Sequence, residues 1–185
     1  MKTELNNQFI LKNKHVTLKP FEKKNISERF LTYLNNKKIN QYLEIGRKKQ
    51  TKKSALNYLH QMRIKKYHYW AIIENRKKKL IGTITLRKKN KNIAYLGYMI
   101  GLKKYHGSQH SDSAFRMALD FSFKKLNLKK IQGGAAKGNT GAIFNVMRNG
   151  FKLTKKKKNS FLFSLIKKNF KRRIKYEVFE FNSIS

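Results

Sequence analysis

The most informative part of this sequence is a junction between a predicted strand and a predicted helix, Gly97-Tyr-Met-Ile-Gly-Leu-Lys-Lys-Tyr-His-Gly-Ser-Gln-His-Ser-Asp-Ser-Ala114. Gly107 and the small polar residues that follow it favour a loop at the helix start. The first turn of a helix leaves its backbone N–H groups without intrahelical acceptors, so such a loop can direct several of them at one anion. Lys103 and Lys104 add attraction. The junction therefore predicts an anion-binding site, although glycine and serine are also ordinary turn residues.

Strands and helices alternate on both sides of this junction. Alternating apolar residues predict strands at residues 15–21, 69–74, 80–86, 93–101, 130–136 and 161–166. Apolar residues at helical spacing predict helices capped by Ser27 and Thr51, a helix that begins at Ser111 or Asp112, and a helix over residues 139–149. This order predicts an α+β (mixed α/β) fold with a central sheet rather than a helical bundle or a barrel.

Composition excludes several classes of protein. The chain has 185 residues and no cysteine, so it forms no disulfide and no Cys-based metal site. A hydrophobic content of 39% is too high for a disordered basic tail, and the length predicts a single domain over residues 1–185. No His, Asp and Glu spacing suggests a metal site. The sequence shows no apolar signal region and no membrane-spanning run, which predicts a cytoplasmic protein.

The net charge is the most unusual property of the chain. Lys plus Arg number 45 and Asp plus Glu number 9, which gives a formal net charge of +36. Such a charge favours binding to a polyanion such as nucleic acid, because basic side chains that neutralise phosphates release counterions. However, the basic residues are dispersed over turns and element ends, and the chain is equally rich in the Asn, Ile and Phe that A/T-rich codons specify. Codon composition is therefore the favoured explanation of the charge, and nucleic-acid binding is the alternative.

Three separated motifs resemble a known family. They are Gly97-Tyr-Met-Ile-Gly101, then Tyr105-His-Gly-Ser-Gln-His-Ser111, then Asn139-Thr-Gly-Ala142 through Asn149-Gly-Phe151. With them, the chain from Tyr42 to about Phe170 resembles the GNAT acyltransferase superfamily, in particular its branch of ribosomal-protein N-terminal and amino-sugar N-acetyltransferases. The stretch Tyr42-Leu-Glu44 is similar to the sugar-acetylating subgroup.

The resemblance implies a twisted GNAT-like sheet of about seven strands with flanking helices, in which strands four (93–101) and five (130–136) splay apart and hold acetyl-CoA. It implies that the backbone of Met99, Ile100 and Gly101 pairs with the pantetheine arm and that Asn139 contacts the cofactor beyond strand five. The amides of Gly107, Ser108, Gln109, His110 and Ser111 are implied to hold the pyrophosphate, and His106 is a further implied cofactor-binding residue. Gln109 departs from the family pattern, which has a glycine there for positive φ or for close approach of the phosphate.

Few acidic residues are available as a general base. Tyr95 takes the position where many family members carry a carboxylate, and Glu44 lies in the connection that forms the acceptor side in this family. These two residues are the predicted catalytic residues, with Glu74 as a further candidate; packing or ion pairing would explain each of them equally simply.

The expected function is transfer of an acetyl group from acetyl-CoA to a primary amine, either an amino sugar of a surface polysaccharide or a protein N-terminus. The alternative is a non-catalytic GNAT-like module that binds a polyanion. The expected oligomeric state is a monomer or a homodimer. Residues 171–185 are expected to form a terminal strand, a dimer contact or an unstructured end.

Overall fold

A computed structural model describes residues 8–42, 48–171 and 174–181 of the chain. The strands are β1 (Gln8–Lys12), β2 (Val16–Pro20), β3 (His68–Glu74), β4 (Lys79–Lys88), β5 (Ile93–Ile100), β6 (Lys130–Ala136), β7 (Lys152–Lys156), β8 (Ser160–Ile166) and β9 (Glu177–Phe181). The helices are α1 (Glu28–Asn35), α2 (Lys37–Asn40), α3 (Lys52–Ile64), α4 (Gln109–Lys124) and α5 (Thr140–Arg148).

One sheet contains all nine strands of the described ranges, in the order β7-β8-β6-β5-β4-β3-β2-β1-β9. Neighbouring strands are antiparallel except β5 and β6, which are parallel. The predicted α+β fold class is confirmed, and the sheet has nine strands where about seven were expected. The predicted strands four and five are β5 and β6, at the centre of the sheet.

Helices cover both faces of the sheet. Side chains alternate between the faces along each strand, so each face has apolar side chains that form a core with its helices. The larger core lies under α4 and α5 and includes Trp70, Ile72 and Phe121. The smaller core lies under α1 and α3 and includes Ala71 and Met99. The buried indole N–H of Trp70 donates to the carbonyl of Phe9 at 2.9 Å, so this polar group keeps a partner inside the larger core. In the described ranges no helix is long and apolar enough to cross a membrane.

Two of the predicted helix caps are confirmed. The Ser27 side chain accepts from the N–H of Phe30, and the Thr51 side chain accepts from that of Ser54. The prediction for the start of α4 was wrong: the helix begins at Gln109, and Ser108 rather than Ser111 or Asp112 is its cap.

Two strands, β1 and β7, were not assigned by the sequence patterns, and a third, β9, was only one of several alternatives. Strand β1 places Phe9 and Leu11 in the larger core. Strand β7 is exposed along its whole length. Strand β9 pairs with β1 at the sheet edge, so residues 177–181 form a terminal strand, one of the three alternatives for the end of the chain. The hydroxyl of Tyr176, just before β9, donates to the buried carboxylate of Asp120 at 2.8 Å and ties this end to α4.

Candidate functional site

Strands β5 and β6 part in the middle of the sheet. They pair only through Ile93 with Lys130, Ala94 with Ile131, and Tyr95 with Gln132. Beyond these pairs β6 continues along β8 as far as Ala136, while β5 continues along β4 as far as Ile100. The two strands therefore enclose a gap, the predicted splay, which narrows to an apex at Tyr95 and Gln132.

Strand alternation decides which backbone groups of β5 face this gap. The N–H of Gly101 donates to the carbonyl of Ile81 on β4 at 2.8 Å, so the backbone groups of Gly101 and Met99 point toward β4. Those of Tyr98 and Ile100 point in the opposite direction, into the gap. Of the three residues predicted to pair with a pantetheine arm, Ile100 is the one whose backbone faces the gap.

The ring of His106 lies at the open end of the gap. Its Nε2 is 3.1 Å from the carbonyl oxygen of Ile100, and because a carbonyl only accepts, this nitrogen is the donor. The contact fastens the loop before α4 to the end of β5. It also engages the Ile100 carbonyl, so the N–H of Ile100 and both backbone groups of Tyr98 are the gap-facing groups open to a ligand.

The loop turns into α4 at Gly107, which has a φ of 67° that a side chain would disfavour. Ser108 follows, accepts from the N–H of Ser111 at 3.4 Å and donates to the carbonyl of Tyr105 at 2.8 Å. Within the described ranges the N–H groups of Gln109 and His110 donate to no backbone acceptor. The structure therefore gathers the predicted loop residues around two unpaired N–H groups at a helix start, which is suitable for an anion.

Gln109 is an ordinary first residue of α4 rather than a strained one. Its φ is not positive, since the described non-glycine residues with positive φ are Lys66, Lys78 and Asn127. The positive φ that the family glycine could have supplied is therefore not needed at this position. Gln109 is exposed, so its side chain is the remaining difference from glycine.

Tyr98 fixes the start of α4 to β5, a role that the sequence analysis did not assign. Its hydroxyl donates to the carbonyl of Ser111 at 3.0 Å, and its ring packs edge-on against Phe115 with centroids 5.3 Å apart. Burial raises the pKa of Tyr98, which keeps the hydroxyl protonated as a donor. The helix start is thus held at a defined distance from the strand that borders the gap.

Glu74, the third candidate base, lies on the other side of the sheet from Tyr95. Its carboxylate is buried and accepts from the N–H groups of Arg76 at 2.9 Å and Lys77 at 2.8 Å. Burial alone would raise the pKa of Glu74, but these two hydrogen bonds and the nearby His110 and Lys77 lower it overall. Glu74 Oε1 is 3.9 Å from His110 Nε2. The carboxylate therefore closes a turn and faces α4 rather than the apex of the gap.

Tyr95 and its partner Gln132 lie at the apex, and both residues are half-buried. In β5 the even-numbered residues face the core under α4, and in β6 the odd-numbered residues do. Since side chains alternate between the faces, Tyr95 and Gln132 lie on the opposite face, under α1 and α3. No motif in the sequence singles out Gln132. The other predicted catalytic residue, Glu44, lies outside the described residues.

Asn139 ends the connection from β6 to α5. Its side-chain oxygen accepts from the N–H of Ala142 at 3.0 Å and caps α5, which leaves the amide nitrogen to donate elsewhere. The ring of Tyr42 lies against Gly138 in the same connection. The open end of the gap is therefore bordered by α4 on one side and by the start of α5 on the other.

An ion pair that joins these two helices was also missed. Arg148 Nη2 on α5 is 2.8 Å from Asp112 Oδ1 in the first turn of α4, and Asp112 Oδ2 is 2.8 Å from Arg116 Nε. The Asp112 and Arg116 pair has the i,i+4 spacing that a sequence shows, but nothing in the sequence points to Arg148. The described residues include no group of three or more His, Cys, Asp or Glu that could hold a metal ion.

Comparison with known proteins agrees with this geometry. The sequence model of the Acetyltransferase (GNAT) domain family matches residues 15–152. No match was found among curated protein sequences.

Solved structures share the fold at low identity. A GNAT-family acetyltransferase from Bacillus anthracis has a TM-score of 0.75 and 17% identity, with coverage of 86% of this chain and 99% of that one. Spermidine N-acetyltransferase from Vibrio cholerae, solved with CoA and spermine, has a TM-score of 0.73, 19% identity, and coverage of 85% and 98%. Ribosomal-protein-S5-alanine acetyltransferase from Vibrio fischeri has a TM-score of 0.66, 17% identity, and coverage of 88% and 99%.

Proposed function

The chain belongs to the GNAT acetyltransferase family, and on this premise we propose that it transfers the acetyl group of acetyl-CoA to a primary amine, either of an amino sugar in a surface polysaccharide or of a protein N-terminus. The observation that carries the proposal is the gap between β5 and β6, which leads from unpaired strand groups to an open helix start. An extended chain of amides can pair with the unpaired strand groups, and a pyrophosphate can bind at the helix start.

The residues of the gap fit acetyl-CoA group by group. The backbone groups of Tyr98 and the N–H of Ile100 pair with the amides of the pantetheine arm, beside Met99 and Gly101. The N–H groups of Gln109 and His110 hold the pyrophosphate. The other residues of this phosphate site are His106, Gly107, Ser108 and Ser111. Asn139 donates from its side-chain nitrogen across the open end.

The chemistry at the apex needs few side chains. A neutral amine attacks the thioester carbonyl, a backbone N–H at the gap edge stabilises the developing oxyanion, and the C–S bond then breaks with departure of the CoA thiolate. The proton of the amine passes to a base, directly or through water. Tyr95 is the proposed base at the apex, and Glu44 is the second, proposed on the resemblance alone.

The acidic residues of the described ranges argue against a polyamine acceptor. Glu74 and Asp112 are held by the contacts given above, and Asp120 by Tyr176 and by Lys124 at 3.5 Å. The others are Glu22, paired with Lys24 at 2.7 Å, Glu28 at the start of α1, and Glu177 and Glu180 on β9. None of these carboxylates is on β5 or β6, the strands that form the apex of the gap, and a polycation requires several nearby. An acceptor with a single amine fits better.

Thiol release from acetyl-CoA tests the proposal. Candidate acceptors are free and nucleotide-linked amino sugars and short peptides with alanine or serine at the N-terminus, with spermidine as the contrasting amine. We expect saturable thiol release with one of the first two classes, and a rise in unfolding free energy of about 2.7 kcal/mol when acetyl-CoA is at 100 times its Kd. No thiol release with any acceptor, together with no thermal shift at millimolar acetyl-CoA, would reject the proposal.

Strand β7 favours polyanion binding as a second function. Its lysines, Lys152, Lys155 and Lys156, are exposed, as are Lys157 and Lys158 in the following turn. A nucleic-acid contact through this edge would weaken steeply with salt, since each neutralised phosphate releases a counterion. Binding of a labelled RNA measured at 50 and 200 mM salt, for the wild type and for a variant with Lys155, Lys156 and Lys158 changed to glutamine, tests it. Equal binding by both proteins would exclude this edge.

A further inference from the structure

The two faces of the sheet differ in how easily a second substrate can reach the gap. On the α4 and α5 face, Leu96 of β5 and Ala135 of β6 are buried in the larger core. On the opposite face, Gly97 and Gly134 stand two residues beyond the apex on their strands and present no side chain. An amine that attacks a thioester in the gap therefore approaches from the α1 and α3 face.

Arg87 lies on this approach. It is the β4 residue that pairs with Tyr95, and Tyr95 in turn pairs with Gln132 on β6. Side chains of directly paired residues share one face of a sheet, so these three form a row across three strands on the α1 and α3 face. Neighbouring strands are about 4.8 Å apart, which places Arg87 one strand from the apex. Its long side chain can reach a group bound over the row.

The guanidinium of Arg87 is free to take a ligand. Arg87 is exposed, and none of the ion pairs between described residues includes it. Its neighbour on α3 is Tyr58, which is 40% exposed. Burial raises the pKa of Tyr58, while the charge of Arg87 and a side-chain hydrogen bond with Thr85 oppose this rise. The ring of Tyr58 is also held edge-on against Tyr69, with centroids 5.5 Å apart.

We propose that Arg87, assisted by the hydroxyl of Tyr58, binds a phosphate group of the acceptor, and that the acceptor is a nucleotide-linked amino sugar rather than a protein N-terminus. This inference rests on the proposed function and names its substrate class. A guanidinium presents a planar fork of donors that matches a phosphate. In a sugar nucleotide one sugar ring separates the amine from the phosphate, about the spacing of adjacent strands. An N-terminal alanine or serine offers no such anion.

Three forms of one amino sugar test the inference, namely glucosamine, glucosamine 1-phosphate and UDP-glucosamine, beside a neutral peptide with an N-terminal serine. We expect the wild type to have a KM for the two phosphorylated sugars about tenfold or more below that for glucosamine. Arg87→Gln should abolish this preference by raising the KM for the phosphorylated forms, with a much smaller change for glucosamine, because a lost charge-assisted hydrogen bond is worth about tenfold or more.

Lys88→Gln is the matched control. Lys88 is exposed and adjacent in sequence, but it pairs with Ala94 of the larger core and so lies on the opposite face. The variant loses the same single charge and should keep the preference for phosphorylated sugars. An equal loss of preference in both variants would reveal an effect of net charge and overturn the role of Arg87.

Calorimetry separates binding of the acceptor from its reaction, so the position of the amine on the sugar does not affect the result. UDP-glucosamine is titrated into protein saturated with CoA, which keeps the nucleotide out of the cofactor site. We expect binding by the wild type, binding about tenfold or more weaker by Arg87→Gln, and partial recovery with Arg87→Lys, which keeps the charge without the fork. Equal binding by the wild type and Arg87→Gln would overturn the inference.

The inference and the proposed function fail in different ways. Acetylation of the serine peptide without any preference among the three sugars would overturn the phosphate site and leave acetyl transfer intact. Binding of acetyl-CoA without binding of UDP-glucosamine would do the same. A wild type that releases no thiol with any acceptor and shows no thermal shift with acetyl-CoA would overturn both.

Discussion

Tyr95 on β5 and Gln132 on β6 form the last registered pair before the two central strands part. Their side chains lie on the same face of the sheet, under α1 and α3, and both are half-buried. The pair closes the gap at the end opposite the start of α4, where the His106 loop contacts Ile100. A phenol and a carboxamide at an apex can accept or donate to a reacting amine and carbonyl.

Tyr95→Phe tests the proposed base. The substitution keeps the ring and removes only the hydroxyl, so the sheet should fold as before. We expect kcat/KM to fall about 100-fold, the low end for loss of a positioned base, with little change in the affinity for acetyl-CoA. Steady-state kinetics and calorimetry measure these quantities. An unchanged kcat would assign Tyr95 to packing and make Glu44→Gln the next variant to measure.

Substitutions of Gln109 test whether its side chain weakens the phosphate site, where the family pattern has glycine. Its backbone is already helical, so a Gln109→Gly variant gains from the loss of the side chain and not from backbone freedom. We therefore expect Gln109→Gly and Gln109→Ala to strengthen acetyl-CoA binding to a similar extent, measured by calorimetry. An improvement with glycine alone would mean that the bound loop adopts another backbone conformation, and no improvement with either would mean that the Gln109 side chain is clear of the phosphate.

Gly107 is the position where the loop does require glycine. With φ at 67° and no atom within 4 Å of an added Cβ, Gly107→Ala adds backbone strain without a clash. The expected cost is about 1–2 kcal/mol of unfolding free energy, with weaker acetyl-CoA binding as the loop shifts. Chemical denaturation measures the first effect. Gly107→Asn should cost less because asparagine tolerates this region, and an alanine variant as stable as the wild type would contradict the argument.

Substitution of Gly101 tests how closely the end of β5 packs against α1. A Cβ at this position would overlap the ring of Tyr33. We expect Gly101→Ala to lower the unfolding free energy by about 1–3 kcal/mol, since the buried ring must move. Adding Tyr33→Leu should recover part of that loss, and a double-mutant cycle would measure the coupling. Fully additive effects would show that the ring moves freely.

Local signals in the sequence were sufficient for much of the fold. Ser27 and Thr51 could be identified as caps because a cap depends on residues within one helical turn. Strand β7 could not be identified, since Leu153 is its one apolar residue and its pairing with β8 alone makes it a strand. The start of α4 was placed too late because Ser108, Ser111 and Asp112 are all acceptable caps and tertiary contacts choose among them.

The candidate site was predictable where a motif is continuous and not where it is assembled from distant residues. The loop from His106 to Ser111 is one segment, and local hydrogen bonds of Ser108 and Ser111 hold it at the start of α4. By contrast, the contact between Arg148 and Asp112 joins two helices, and no spacing in the sequence reveals it. Whether the backbone groups of Tyr98 or of Met99 face the gap depends on the register between β4 and β5, which the sequence of β5 alone does not encode.

His68 makes the stability of the fold depend on pH. Its ring stacks on Trp70 with centroids 5.0 Å apart, and burial, reinforced by Lys88, lowers its pKa from 6.5 to about 4. The folded chain therefore keeps His68 neutral while the unfolded chain takes up a proton below pH 6.5. Stability is complete above that pH and decreases as the pH falls toward 4, by about 3 kcal/mol in full.

Urea denaturation between pH 7.5 and 4.5 measures this dependence in the wild type and in His68→Phe. The variant keeps a ring against Trp70 and has no proton to bind, so we expect it to lose much less stability across this range. Glu74 and His15 also have lowered pKa values, but both proteins contain them, and the difference between the two proteins isolates His68. His60→Phe, on the exposed side of α3, should follow the wild type. If wild type and His68→Phe lose stability in parallel, His68 must be protonated in the folded state and its stacking on Trp70 must tolerate the charge.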